Sequence, residues 1–238
     1  MGNLDQLKKA AATTALNLIQ PNTIIGLGSG STVNFFIEAL GMLCHRGFHI
    51  QAIASSLQSQ DLALRHQIPL LSHELVSHID TTVDGADVVD EHCCMIKGGG
   101  GALLREKIIA RSSNSIIIII DESKLSTLKL HKIPIEILSF GHLLTIKQIQ
   151  QLGLHGKLRY TSSQSLFMTD NHNYIYDISF PTNIDIKTLH HNLISIPGVL
   201  ETGLFYDYAT TLITGRHNGD TEICLLYTSD AADERSSV

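Results

Sequence analysis

Hydrophobic positions along the chain alternate between a helical period and a strand period. Leu4, Leu7, Ala11, Ala15, Leu18 and Ile19 recur at helical spacing until Pro21-Asn22 stops them. Thr23 to Leu27 then reads as a strand running into the turn Gly28-Ser29-Gly30-Ser31-Thr32, after which Val33, Phe35, Phe36, Ile37, Ala39 and Leu40 resume a helix. The unit repeats. A strand at Ile50 to Ala54 leads to a helix ending near His66, a short strand or edge follows at Ile68 to Leu71, and an alternating strand from Ile79 closes on Asp84-Gly85-Ala86-Asp87. Beyond a run of glycines, a helix is predicted from Ala102 to about Ser112. Five consecutive isoleucines at 116–120 leave no polar face, the pattern of a strand covered on both sides within a parallel sheet. Repeated strand, loop and helix units of this kind predict a doubly wound, Rossmann-like α/β domain.

After Asp121-Glu122-Ser123-Lys124 the pattern changes to a strand at Pro134 to Leu138, a helix at Leu143 to Leu152 and a hairpin-like pair within 157–177. A helix at Asp185 to Ile194 and strands at Val199 to Glu201 and Gly203 to Phe205 complete it. Strand, helix, two strands, helix, strand predicts a small inserted α+β unit of ferredoxin-like order. Ala209 to Thr214 is apolar enough to return to the first sheet as its last strand. The expected division is therefore 1–131 plus about 208–223 for the α/β domain and 132–207 for the small one. Residues 224–238 lack core periodicity and read as a disordered or foreign tail.

Composition narrows the function classes. With 238 residues, 43% of them hydrophobic, the chain can bury a substantial core. A formal charge of -6 with 17 scattered Lys and Arg argues against a nucleic-acid partner. The longest aliphatic run, 116–120, is far short of the roughly 20 residues that span a bilayer, so no membrane segment is expected. Cys44, Cys93, Cys94 and Cys224 form no CxxC pair, and the first residues show no basic start followed by an apolar run; a cytoplasmic setting is the simplest expectation.

Three stretches carry candidate chemistry. The turn at 28–32 resembles a dinucleotide fingerprint, but its third glycine would fall on Ser31 and no Walker lysine follows, so no nucleotide cofactor is expected. The turn is either a phosphate site, with hydroxyls and N–H groups as donors, or an ordinary N-cap by Ser31 or Thr32. Asp84 and Asp87 stand at a strand's C-terminal end, where ligands bind in open parallel sheets, although turn chemistry alone also favours Asp-Gly. Lys97-Gly98-Gly99-Gly100-Gly101 is either a flexible surface loop or bare backbone that a ligand approaches closely. On the helix beyond it, Glu106 falls between Ile109 and Ala110 on the wheel, with Leu103, Leu104 and Ile108 on most of the remaining faces. A carboxylate on an apolar flank is costly unless paired; it either pairs with a basic residue or serves as a base. A carboxylate base, the Lys97 ammonium and two further carboxylates near a phosphate pocket are the parts needed to move a proton α to a carbonyl. Apolar burial would raise the Glu106 pKa, whereas the helix N-terminus and Lys97 would lower it.

The chain resembles the type A ribose-5-phosphate isomerase family. The matching motifs are Gly26-Leu27-Gly28-Ser29-Gly30-Ser31-Thr32, Asp84-Gly85-Ala86-Asp87, Ile96-Lys97-Gly98-Gly99-Gly100-Gly101-Ala102 and Arg105-Glu106-Lys107, followed by Asp121-Glu122-Ser123-Lys124, Pro134-Ile135-Glu136, Thr169-Asp170-Asn171 and Pro197-Gly198-Val199. They occur in family order over residues 4 to about 220. The resemblance implies an aldose–ketose isomerase that interconverts ribose 5-phosphate and ribulose 5-phosphate through an enediolate, with Glu106 as the proton acceptor. It implies that Ser29, Gly30, Ser31, Thr32, Lys124 and Lys8 serve the phosphate. Asp84 and Asp87, with Gly85 and Ala86 between them, would handle sugar hydroxyls and ring opening; Lys97, with Gly98, Gly99 and Gly100, would face the developing oxyanion. It further implies a homodimer or homotetramer and no metal or other cofactor, in keeping with 13 histidines that show no HExxH or Cys/His ligand spacing. Ser29 replaces the threonine usual in the turn, Thr210 stands where an aspartate is typical, and the family ending is lost after Glu222 or Ile223. Two other readings are a non-catalytic sugar-phosphate-binding sensor, for which no spare basic helix-turn-helix segment is present, and a nucleotide-cofactor oxidoreductase, which Ser31 disfavours.

Overall fold

The computed structural model describes residues 3–181 and 184–226. In chain order the first elements are α1 (Asn3–Leu16), β1 (Ile24–Leu27), α2 (Ser31–His45), β2 (Gln51–Ala54), α3 (Leu57–Arg65) and β3 (Ile79–Asp84). Next come β4 (Val88–Val89), β5 (Met95–Ile96), α4 (Leu103–Arg111), β6 (Ser113–Asp121), β7 (Lys132–Ile137), α5 (His142–Gln151), β8 (Gly156–Leu158) and β9 (Tyr174–Ser179). The described chain closes with α6 (Ile186–Ile194), β10 (Val199–Thr202), β11 (Leu204–Phe205), β12 (Thr211–Gly215) and β13 (Thr221–Leu225).

The described residues divide into two compact units, one within 3–86, 105–124 and 207–226, the other within 87–104 and 125–206. In the first, a six-stranded sheet has the order β13-β12-β6-β3-β1-β2. Every pairing is parallel except β12 with β13. The isoleucine run explains the position of β6: with β3 and β12 on either side and both faces covered, 116–120 are all buried. On one face Ile25, Leu27, Ile117 and Ile119 meet Ala11, Ala15, Phe36, Ile37 and Leu40 from α1 and α2. Adjacent strand residues point to opposite faces, so Ala52 joins this cluster while Ile53 packs with Ile79 and Ile109 of α4. Helices thus cover both faces, as a doubly wound sheet requires.

In the second unit β7, α5, β8, β9, α6 and β10 build an antiparallel sheet of order β10-β7-β9-β8, the ferredoxin-like arrangement. Ile133, Ile135 and Ile137 of β7 meet Ile149 of α5 and Leu189 and Leu193 of α6 in its core. A three-stranded sheet, β11-β5-β4, belongs to the same unit. Its pairings explain why 87–104 sit here instead of with the α/β domain expected for 1–131: β5 pairs with β4 on one side and with the distant β11 on the other.

The chain end also differs from expectation. Residues 224–226, read as the start of a tail, continue an antiparallel ladder: Cys224 pairs with Leu212, Leu225 with Thr211, and Leu226 N–H donates to Thr210. The signal was Asn218-Gly219, a hairpin turn in which Gly219 takes a φ of 90° and its N–H donates to the Arg216 carbonyl. Residues 227–238, the rest of the expected tail, lie outside the described residues. At the other end of this ladder Thr210 Oγ1 accepts from Ile116 N–H at 2.9 Å and donates to the Ile116 carbonyl at 3.0 Å, a pairing that an ionised carboxylate, which only accepts, could not complete.

Candidate active site

In the first unit the turn after β1, Asp84 and Asp121 stand at the C-terminal ends of neighbouring strands. Gly28 N–H donates to the Val83 carbonyl at 2.9 Å, which lays the turn after β1 across the end of β3. Asp84, the last residue of β3, is buried, and its Oδ1 accepts the N–H of Ser29 at 3.1 Å and of Gly85 at 2.7 Å. A Cβ on Gly28 would lie 2.0 Å from that oxygen, so only glycine lets the turn pass. The Ser29 hydroxyl lies 3.0 Å from the Ser55 hydroxyl and donates to that of Ser56 at 2.8 Å, while Ser59 Oγ donates to the Gly28 carbonyl at 2.6 Å. The hydroxyl that Ser29 shares with threonine is therefore in use.

Gly30, with a φ of 109°, is the N-cap of α2, and no side chain among the described residues caps it. The alternative of a cap by Ser31 or Thr32 does not hold: both lie inside the first turn, Ser31 exposed and Thr32 buried, at the positive end of a 15-residue helix. One strand further along the sheet, β6 ends on Asp121. Its Oδ1 accepts from the N–H and hydroxyl of Ser123, and its buried Oδ2 has no hydrogen-bond partner among the described residues. The 3-10 turn that follows, Glu122–Lys124, ends on the half-buried Lys124. Lys8 stands half-buried on α1.

Glu106 lies on α4 and is 4% exposed, on the buried side with Ile109 and Ala110. The helix approaches β1 closely, since a Cβ on Gly26 would fall 2.8 Å from Ile109 Cγ2. The apolar flank read from the wheel is real, with one correction: Ile108 is 58% exposed, so the outer face runs through it. Lys107 is buried as well, which the wheel did not indicate.

The second unit carries Asp87, Lys97 and the glycine loop. Asp87 N–H donates to the Ile96 carbonyl, and Asp87 Oδ2 accepts Gly99 N–H at 2.7 Å, so the aspartate just before β4 holds the loop just after β5. Lys97 is 3% exposed; its N–H donates to the Gly203 carbonyl and its ammonium lies 5.5 Å from the Phe205 ring centroid. Gly98 and Gly101 take φ of 104° and 82°, and Gly101 N–H closes a turn on the Gly98 carbonyl. A Cβ at Gly101 would stand 2.5 Å from Phe167 Cε1. The loop is therefore a built turn and not a slack one. Arg159, which no sequence motif indicated, donates from Nη1 to the carbonyls of Gly98 at 2.8 Å and Gly99 at 3.0 Å.

The sequence has known relatives. The profile of the family described as "Ribose 5-phosphate isomerase A (phosphoriboisomerase A)" matches residues 51–219. The chain is 49% identical over 221 residues to "Ribose-5-phosphate isomerase A" of Protochlamydia amoebophila, covering 91% of this chain and 94% of the relative. It is 44% identical over 219 residues to the protein of the same name from Bacillus cereus, covering 91% and 99%. Among solved structures, ribose 5-phosphate isomerase from Plasmodium falciparum is similar with a TM-score of 0.88 at 36% identity, covering 94% of this chain and 99% of that one. A D-ribose-5-phosphate isomerase solved in complex with phospho-erythronic acid gives 0.88 at 35% identity, covering 95% and 100%.

Proposed function

Because the chain belongs to the ribose 5-phosphate isomerase A family and is an aldose–ketose isomerase of ribose 5-phosphate and ribulose 5-phosphate, we propose how its residues divide that reaction. Glu106 removes the proton on C2 of the open-chain aldose. The C–H electron pair becomes the C1–C2 double bond and the aldehyde oxygen becomes an enediolate oxygen, which the Lys97 ammonium stabilises. A proton passes from the C2 hydroxyl to the C1 oxygen, and Glu106 returns its proton to C1, leaving the ketone at C2. Product and substrate are isomers, the proton that Glu106 takes from C2 being replaced by one it delivers to C1, so the sum of the steps consumes no oxidant or reductant. Asp84 and Asp87 manage the sugar hydroxyls and ring opening, and Gly85 and Ala86 shape the segment between them. The phosphate is taken by Ser29 to Thr32, Lys124 and Lys8.

The observation that carries this reading is Glu106 itself: a buried carboxylate on the apolar side of α4 in a chain of this family. The Gly30 cap supports the phosphate assignment, because α2 opens on glycine and two hydroxyl residues with no capping side chain among the described residues. Among the described residues no helix is long and apolar enough to cross a membrane. A cytoplasmic setting in the non-oxidative branch of the pentose phosphate pathway fits the reaction, and a homodimer or homotetramer is part of the proposal.

Exchange of the C2 proton of ribose 5-phosphate in deuterated water, followed by NMR, tests the scheme. Glu106→Gln is expected to lower both exchange and turnover by about 10²- to 10⁴-fold, the usual worth of a positioned base, while still binding substrate. Wild-type turnover in that variant would remove Glu106 from the mechanism.

A further inference from the structure

The loop that carries Lys97 is held from beneath by a residue about 60 positions further on. Arg159 follows β8, its backbone anchored by donating to the Ile175 carbonyl and accepting from Phe167 N–H, both at 2.9 Å. Its guanidinium is largely buried and makes two sets of bonds. Nε and Nη2 grip Asp177 at 2.9 and 2.5 Å, the bidentate geometry in which a guanidinium fork is most rigid. Nη1 gives its protons to the carbonyls of Gly98 and Gly99. The Phe167 ring lies 5.6 Å from Cζ and also backs Gly101.

Glycine carbonyls have no side chain to fix their direction, so fastening two successive carbonyl oxygens fixes two peptide planes. These are the Gly98–Gly99 and Gly99–Gly100 peptides: the first carries the Gly99 N–H that Asp87 accepts and meets the Lys97–Gly98 peptide at the Gly98 Cα. We infer that Arg159 is a positioning residue for the isomerisation: anchored by Asp177, it orients the Gly98 and Gly99 peptides and through them sets Lys97 and Asp87. A simple stabilising ion pair would need only Asp177 and would leave the glycine carbonyls alone. This inference rests on the roles proposed above for the loop, so its test carries Lys97 alongside.

Turnover and thermal midpoint are measured for the full-length wild type, Arg159→Ala, Lys97→Ala and the double variant. Misplacing reacting groups by about 1 Å can cost roughly 10²-fold in rate, so Arg159→Ala is expected to lose about that in kcat with KM changed less than about threefold. In the Lys97→Ala background the same substitution is expected to cost less than about threefold, because residues acting as a unit are not additive, while the thermal midpoint falls equally in both backgrounds. Adding millimolar methylguanidinium to Arg159→Ala is expected to restore part of kcat. Retention of kcat in Arg159→Ala, or losses that simply multiply in the double variant, would overturn the inference. If Arg159→Ala does not fold, Arg159→Lys, which keeps the charge but not the planar fork, is judged by the same criteria. Wild-type turnover in Lys97→Ala would count against the proposed site; a loss there with none in Arg159→Ala would count against this inference alone.

Discussion

Position 28 shows how far a single hydrogen atom in place of a side chain can determine a site. The turn after β1 needs Gly28 because the space for a Cβ is already occupied by Asp84, whose Oδ1 would lie 2.0 Å and whose Cα 2.6 Å away. Neither neighbour is the free end of a flexible chain: the carboxylate is fixed by two backbone N–H groups and the Cα belongs to β3. Gly28→Ala is therefore expected to push Asp84 out of place, losing about 1–3 kcal/mol of stability as overpacked positions do. Turnover should fall by more than that loss of stability accounts for. Urea unfolding and a steady-state assay on the same preparation check this; an alanine variant with unchanged midpoint and turnover would mean that the strand ends yield more readily than their hydrogen bonds indicate. Residue-scale legibility followed the range of each interaction. Asp84, Glu106 and Lys97 stood out because their own neighbours in sequence, glycines or apolar residues, made them anomalous. Arg159 sits among Leu158, Tyr160 and Thr161, where an arginine is unremarkable, and its partners Gly98 and Gly99 lie 61 and 60 positions away.

At the scale of elements, local signals with their own termination rules translated best into structure. The helix read as Asp185 to Ile194 forms as Ile186–Ile194 with Asp185 as its N-cap, accepting Thr188 N–H at 2.9 Å. Hydrogen bonds from the hydroxyl and N–H of Thr188 hold the Asp185 carboxyl below its ordinary value. A group whose folded value is depressed stabilises the fold above its unfolded value, about 3.9 for aspartate, and loses that contribution as pH falls through the folded value. Asp185→Ala is thus expected to lower the thermal midpoint at pH 7, with the gap to wild type narrowing steadily below pH 4. A gap that stays constant into acid would show that the cap does not depend on charge. The isoleucine run was equally legible, because an all-apolar strand has only one stable environment, between two parallel neighbours. By contrast, β4 and β5 are two residues each, too short to show a period, and their pairing with β11 could not be read from spacing. The last strand, β13, has four of its five residues exposed, so it shows no buried alternation, and only Asn218-Gly219 announced it.

At the scale of the whole molecule, the chain crosses between its two units at 86/87, 104/105, 124/125 and 206/207, which distributes the proposed machinery: Asp84, Glu106 and Lys124 come from one unit, Asp87 and Lys97 from the other. The smaller unit leaves apolar surface uncovered. Phe140, Leu143 and Leu144, just before and within the first turn of α5, are 85%, 66% and 70% exposed. Three large apolar side chains exposed within five residues of one another are the kind of cluster that marks an association surface, whereas singly scattered ones need no explanation. A second copy of the chain is the occupant that the proposed homodimer or homotetramer requires. Sedimentation velocity at micromolar concentration is expected to show the wild type as a dimer or tetramer. Phe140→Asp combined with Leu144→Asp is expected to shift it to a smaller species, because a buried, unpaired carboxylate is far costlier than an exposed one. Both side chains already face solvent in the single chain, so far-ultraviolet circular dichroism should be unchanged. A monomeric wild type would sink the oligomer proposal, and an unchanged assembly state in the double variant would place the interface elsewhere on the molecule.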